Sequence, residues 1–174
     1  ICYGGYHYLE GRWEKVARAI DDYYPIPPKP KILDIGCGKG FLLYDFLKVI
    51  PDAEIYGIDI SKYAIDNCKP EIQNRLQVGN AIDLPWDDNT FDLVISITTL
   101  HNLHTYDLDL AIREMERVGK QHKYLCVESY RNEQEKANLL YWQVTCEAFN
   151  TPDEWSWWFR QTNYTGDYSY IYFE

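Results

Sequence analysis

A strand-like run that carries an acid and leads straight into alternating glycines, Lys31-Ile32-Leu33-Asp34-Ile35-Gly36-Cys37-Gly38-Lys39-Gly40, constrains this chain more than any other segment. Glycine reaches backbone conformations closed to other residues, so such a loop lets a ligand lie against main chain at the start of a helix. The apolar-rich segment from Phe41 to Ile50 supplies that helix. Strand, glycine loop and helix in this order form a nucleotide-type site. A dinucleotide fingerprint needs G-x-G-x-x-G, with its third glycine at position 41, but Phe41 stands there and the glycine is Gly40. Asp34 agrees with that departure, because a carboxylate at the strand end repels a pyrophosphate and attracts a cation.

The rest of the chain alternates short apolar runs with helical periodicity, the pattern of a mainly parallel sheet with helices on both faces. Further strands are expected at Ile55 to Ile58, with Asp59 at its carboxyl end, then at Leu76 to Val78 and Tyr124 to Glu128, and last at the alternating stretch Tyr168 to Phe173. Phe91 to Ile97 is nearly continuous in apolar residues, as for a strand buried on both faces, and belongs at the sheet centre. Helices are expected over Gly11 to Tyr24, from Ser61 as cap through Cys68, over Asp107 to Val118 and over Glu133 to Phe149. The first is stopped by Pro25-Ile26-Pro27-Pro28-Lys29-Pro30, and a last one opens at the capping box Thr151-Pro152-Asp153-Glu154.

At 174 residues, 46% of them hydrophobic, the chain suits one globular domain. We expect residues 1–30 as a helical cap or lid with its linker, 31–130 as a cofactor-binding core, and 131–174 as closing helices with an edge strand. The formal charge of -10 repels phosphate backbones and no run of Lys and Arg offsets it, which favours a small-molecule partner over nucleic acid. No stretch approaches the roughly 18 to 20 apolar residues that span a bilayer, so no membrane association is expected. Cys2, Cys37, Cys68, Cys126 and Cys146 are scattered with no CxxC pair, which suits a reducing cytoplasm. His101 and His104 form a His-x-x-His pair without a third ligand, so no metal is expected.

Through Ile32-Leu33-Asp34-Ile35-Gly36-Cys37-Gly38-Lys39-Gly40 and the acid Asp59 ending the second strand, the chain resembles the class I S-adenosylmethionine-dependent methyltransferases. Gly79-Asn80-Ala81-Ile82-Asp83-Leu84-Pro85 resembles a further element of that family, with Asn80 where Asp is commonest, and Asp88 to Leu103 resembles the family's fourth motif. The resemblance covers roughly residues 31–130. It implies an α/β Rossmann-like three-layer sandwich with sheet order 3-2-1-4-5, one or two edge strands of which at least one is antiparallel, and helices on both faces. It implies S-adenosylmethionine as cofactor and S-adenosylhomocysteine as product. Asp34, Gly36, Cys37, Gly38 and Gly40 are then expected along the cofactor, as are Asp59 on the ribose hydroxyls with Ile60 beside it, Asn80 and Ala81 at the adenine edge, and Ile97 at the end of the fourth strand.

The expected reaction is methyl transfer to an O, N or C atom of a small-molecule acceptor. The sulfonium already supplies a neutral leaving group, so such a domain needs alignment more than a catalytic motif. His101, just after the fourth strand, is the candidate general base. Of the 28 aromatic residues, 18 fall in residues 1–24 and 141–174, and Tyr3, Tyr6, Tyr8, Trp13 and Trp142 are candidates to line the acceptor pocket. Two other readings stand beside this one: a cofactor-binding or scaffold subunit without catalysis, acting on a protein partner, and an NAD-dependent oxidoreductase, which Phe41 and Asp34 disfavour.

Overall fold

Five of the seven residues of Phe91–Ile97 are buried, and this strand does lie inside the sheet. Its buried polar residue, Ser96, is satisfied by donating to the Ile35 carbonyl at 2.8 Å. The computed structural model describes residues 6–174. In chain order the elements are α1 (Glu14–Tyr23), β1 (Lys31–Ile35), α2 (Phe41–Val49), β2 (Glu54–Asp59), α3 (Lys62–Asp66), β3 (Leu76–Val78) and β4 (Phe91–Ile97). After them come α4 (Thr105–Val118), β5 (Gly119–Glu128), α5 (Glu133–Trp142), α6 (Pro152–Gln161) and β6 (Asp167–Ile171).

The strands run in the order β3-β2-β1-β4-β5-β6. β1 and β4 are adjacent although their onward connections lead to opposite sides of the sheet. That reversal opens a crevice beyond their carboxyl ends, where open α/β sheets bind ligands. One sheet face packs Leu33, Ile35 and Val94 against Leu108, Ile112 and Met115 of α4 and Trp155 and Phe159 of α6. The other packs Ile32, Ile55, Leu93 and Ile95 against Ala17 and Ile20 of α1 and Leu43 and Phe46 of α2.

Three elements depart furthest from the sequence-based expectation, beyond the few residues by which α1 and α3 fall short of theirs. The edge strand is parallel, not antiparallel: β6 pairs with β5 from Tyr124 against Asp167 to Glu128 against Ile171. Residues 129–166, with α5 and α6, return the chain to the end of the sheet where β5 begins, so β6 runs the same way. β5 starts at Gly119 rather than Tyr124, because its polar residues are absorbed: Lys123 is buried, with Nζ bonded to Glu116 at 2.9 Å and Thr165 at 3.2 Å. α5 ends at Trp142 instead of Phe149, and the N–H groups of Glu147 and Ala148 both donate to the His101 carbonyl. Residues 143–150 thus form a strap across the loop that follows β4. No helix among the described residues is long and apolar enough to cross a membrane.

Candidate active site

The crevice holds a cleft of about 420 Å³, within the about 300 to 1,000 Å³ of small-molecule and cofactor sites. It is lined by Asp34, Gly36, Cys37 and Gly38 of β1 and the glycine loop, Asp59 and Ser61 after β2, Ile97 and Thr98 at the end of β4, and Tyr6 and Trp13 of the N-terminal segment. The glycine loop is nearly self-satisfied. Gly36 and Cys37 donate to the Ile58 carbonyl at 2.8 and 3.1 Å, Gly38 to Asp59 Oδ2 at 2.7 Å, and Gly40 to the Cys37 carbonyl at 2.8 Å. Those four N–H groups are therefore already bonded within the protein. Asp59 Oδ1 also accepts from Ser61 N–H at 2.8 Å.

Asp34 is 5% exposed. Burial, reinforced by the neighbouring Asp59 carboxylate, pushes its pKa up to about 7. Two neighbouring carboxylates in one cleft favour a cationic ligand over an anionic one.

Two glycines carry the loop's shape. Gly40 caps α2 at φ 69°, and a Cβ there would lie 2.7 Å from a Leu76 methyl and 2.8 Å from Ile72 Cδ1. Gly36 has φ +77°, and a Cβ there would lie 2.1 Å from Thr99 Cγ2. Gly38 also has positive φ, but a Cβ there meets nothing within 4 Å. Gly36→Ala is therefore expected to lose about 2 to 4 kcal/mol, combining left-handed strain with overpacking, and Gly38→Ala only about 1 to 2 kcal/mol. Urea denaturation of both variants checks this, and equal losses would remove the Thr99 contact from the account.

Thr98 has φ 56°, a costly conformation for a β-branched residue. Its N–H donates to the Cys126 carbonyl at 2.9 Å, its Oγ1 to the Ile97 carbonyl at 2.8 Å, and its own carbonyl accepts from Asn102 Nδ2 at 3.4 Å. Strain of this kind persists where its surroundings over-determine it.

His101 lies beneath that loop, fully buried and absent from the cleft lining. Its Nδ1 accepts from the Glu128 N–H at 3.3 Å, and its Nε2 lies 3.4 Å from Glu128 Oε2. Burial lowers its pKa to about 4 and raises that of Glu128. At pH 7 the ring is neutral, with its one lone pair directed at a backbone N–H. His101→Ala should cost about 2 to 4 kcal/mol in thermal or urea denaturation, from the cavity and the orphaned Glu128 N–H. A loss under 1 kcal/mol would show that the ring does not hold the loop.

The family model for a methyltransferase domain matches residues 27–163. The chain belongs to that family. It is 34% identical over 128 residues to a demethylmenaquinone methyltransferase of Symbiobacterium thermophilum, covering 68% of this chain and 50% of the relative. It is 35% identical over 130 residues to a tRNA (carboxymethyluridine(34)-5-O)-methyltransferase of Arabidopsis thaliana, covering 74% of this chain and 30% of the relative. The chain thus spans half or less of the length of these relatives. The YcgJ protein of Bacillus subtilis shares the fold, with a TM-score of 0.69 at 22% identity over 85% of this chain and 67% of that one. Methyltransferases of this family use S-adenosylmethionine as methyl donor.

Within this methyltransferase domain, Asp34, Gly36, Cys37, Gly38, Asp59, Ile97, Tyr6 and Trp13 converge on the cleft, while Gly40 sits behind it as helix cap. Ile60 is 75% exposed next to Asp59. Asn80 and Ala81 are half-buried outside the cleft lining, and Asn80 Oδ1 accepts from the Ile82 N–H at 3.3 Å. Tyr8 turns away from the cleft, its hydroxyl on Asp45 of α2. Trp142, 62% exposed, lies with Tyr141 and Phe173 in a separate shallow depression, because α5 stops short of the cleft. Tyr3 lies outside the described residues. Sequence reasoning missed Lys39, Phe41, Leu42, Ser61, Tyr63, Ala64 and Thr98 as cleft lining. Ser61 was legible only as a helix cap, and the left-handed turn at Thr98 has no signature in its residue type.

Proposed function

We propose that this domain binds S-adenosylmethionine in the cleft and transfers its methyl group to a small-molecule acceptor. The observation that carries this reading is the pair Asp34 and Asp59 beside a glycine loop whose N–H groups are already bonded. The cleft is unsuited to a diphosphate and suited to a cation flanked by hydroxyls. Asp34 would face the positive charge of the cofactor. Asp59 would accept from the ribose hydroxyls with the lone pairs left free by Gly38 and Ser61. When bound, the cofactor supplies an electrophilic methyl group on a neutral leaving group.

The protein's own part is alignment and exclusion of water. Ile97 and Thr98 line the cleft from the end of β4, and Trp13 and Tyr6 from the N-terminal segment. His101 enters this reading by ordering the loop after β4; service as a general base requires its bond from the Glu128 N–H to break first.

The acidic balance and the relative named for demethylmenaquinone support a small acceptor. A polynucleotide acceptor is the second reading, favoured by the 35% identity to the tRNA methyltransferase. Parallel calorimetric titration with S-adenosylmethionine, S-adenosylhomocysteine and NAD(H) tests the cofactor. Binding of the first two alone is expected, and binding of NAD(H) alone would overturn it. Methyl-labelled cofactor offered with a panel of phenols and quinones, or with unmodified tRNA, separates the two acceptor classes.

A further inference from the structure

Asp45 is out of place in α2. Among Phe41, Leu42, Leu43, Phe46 and Leu47 it presents a carboxylate with no exposed side-chain surface. Burying a carboxylate is costly unless it is paired, and neither the cleft nor the sheet uses this one. Its partners come from the N-terminal segment and its own helix: Oδ1 accepts from the Tyr8 hydroxyl and lies 3.3 Å from Lys48 Nζ. Oδ2 has no hydrogen-bond partner among the described residues.

Tyr8 is seated from several sides. Its ring meets Phe41 and Tyr44 edge-on at 5.5 and 5.3 Å, and the Lys69 ammonium stands 4.1 Å from its centroid. Lys48 donates to the Tyr8 hydroxyl at 2.7 Å and pairs with Glu10. The same short segment brings Tyr6 and Trp13 to the mouth of the cleft, and Lys39 donates to the Tyr6 carbonyl at 2.8 Å. Phe41 touches both sides of this arrangement, lining the cleft and packing on Tyr8.

We propose that Asp45 is a positioning residue for the cofactor: by seating Tyr8 it holds residues 6–13 as a lid across the cleft. This rests on the cofactor reading above. The seat is polar, and that makes it reversible. With the lid open, Asp45 regains water and keeps Lys48 one helical turn away, so most of what the Tyr8 hydrogen bond contributes is offset by restored hydration. The lid can therefore lift for exchange and still favour closure over a bound ligand. Neither Asp45 nor Tyr8 lines the cleft, so their effect on the ligand passes through the lid.

Stopped-flow dissociation of S-adenosylhomocysteine from the wild type, Tyr8→Phe, Asp45→Asn and the double variant tests this. Dissociation is expected to quicken about three- to tenfold in each single variant. The double variant should be no faster than Asp45→Asn alone, because both remove the same seat. A merely structural role would lower the thermal midpoint and leave the dissociation rate where it was. Should Asp45→Asn fail to fold, Tyr8→Phe, which removes a single hydroxyl, carries the test. Wild-type binding with an unchanged rate in Tyr8→Phe overturns the inference alone. Wild-type protein that binds no S-adenosylhomocysteine overturns the cofactor reading and this inference with it.

Discussion

Affinity for S-adenosylmethionine is expected to fall about fiftyfold between pH 7 and pH 5. Asp34 titrates at about 7 in the ligand-free cleft, because burial and Asp59 both disfavour its charge. A cationic ligand reverses that preference, so the complex holds Asp34 ionised, and below pH 7 the cation must displace a proton to bind. Calorimetric titrations from pH 5 to 8 read the slope directly. Asp34→Asn should bind weakly and with little pH dependence. An affinity in the wild type that stays flat across this range would take Asp34 out of cation recognition.

Stability carries a different signature over the same window. The raised pKa of Asp34 means that the folded state holds a proton the unfolded chain has lost between pH 4 and 7, so this group costs stability as pH rises. His101, lowered to about 4, works in reverse: the unfolded chain binds the extra proton, and stability rises with pH from about 4 to 6.5. The two slopes oppose each other across the weakly acid range.

Asp59→Ala is expected to weaken S-adenosylhomocysteine binding by about 5- to 150-fold, the effect of losing about 1 to 3 kcal/mol in hydrogen bonds to a charged acceptor. Two losses combine. The ribose acceptor disappears, and the Gly38 and Ser61 N–H groups lose the oxygens that hold the glycine loop against the start of α3. Circular dichroism establishes folding and calorimetry the affinity. A folded variant that binds like the wild type would refute the role of this carboxylate.

The parallel core was readable because its strands are pure in type. Lys31–Ile35, Leu76–Val78 and Phe91–Ile97 begin and end where the residue pattern places them, and Phe91–Ile97, buried at five of its seven residues, shows most clearly as a nearly continuous apolar run. The Ser61 cap, accepting from the Ala64 N–H at 3.2 Å, and the Thr151–Glu154 capping box were equally plain, because both are local chemistry. What stayed hidden depends on distant partners. The start of β5 is masked by Lys120 and Lys123, whose charges are met by Asp92 at the start of β4 and by Glu116 on α4. The direction of β6 is set by the path of the preceding connection, which leaves no trace in an alternating pattern. Tyr8 looked like a pocket residue because an exposed aromatic and one docked on a buried carboxylate look the same until the partner is known.

The left-handed threonine at the end of β4 sets comfort of the fold against the shape of the cleft. Thr98→Gly would release about 1 to 2 kcal/mol of conformational strain, less the entropy that glycine adds to the unfolded chain. It would also loosen the cleft lining at the end of β4. Stabilising substitutions often trade against function at such positions. Laboratory evolution of this domain for heat resistance alone should reach position 98 early, and the survivors should be tougher proteins with a less selective cleft.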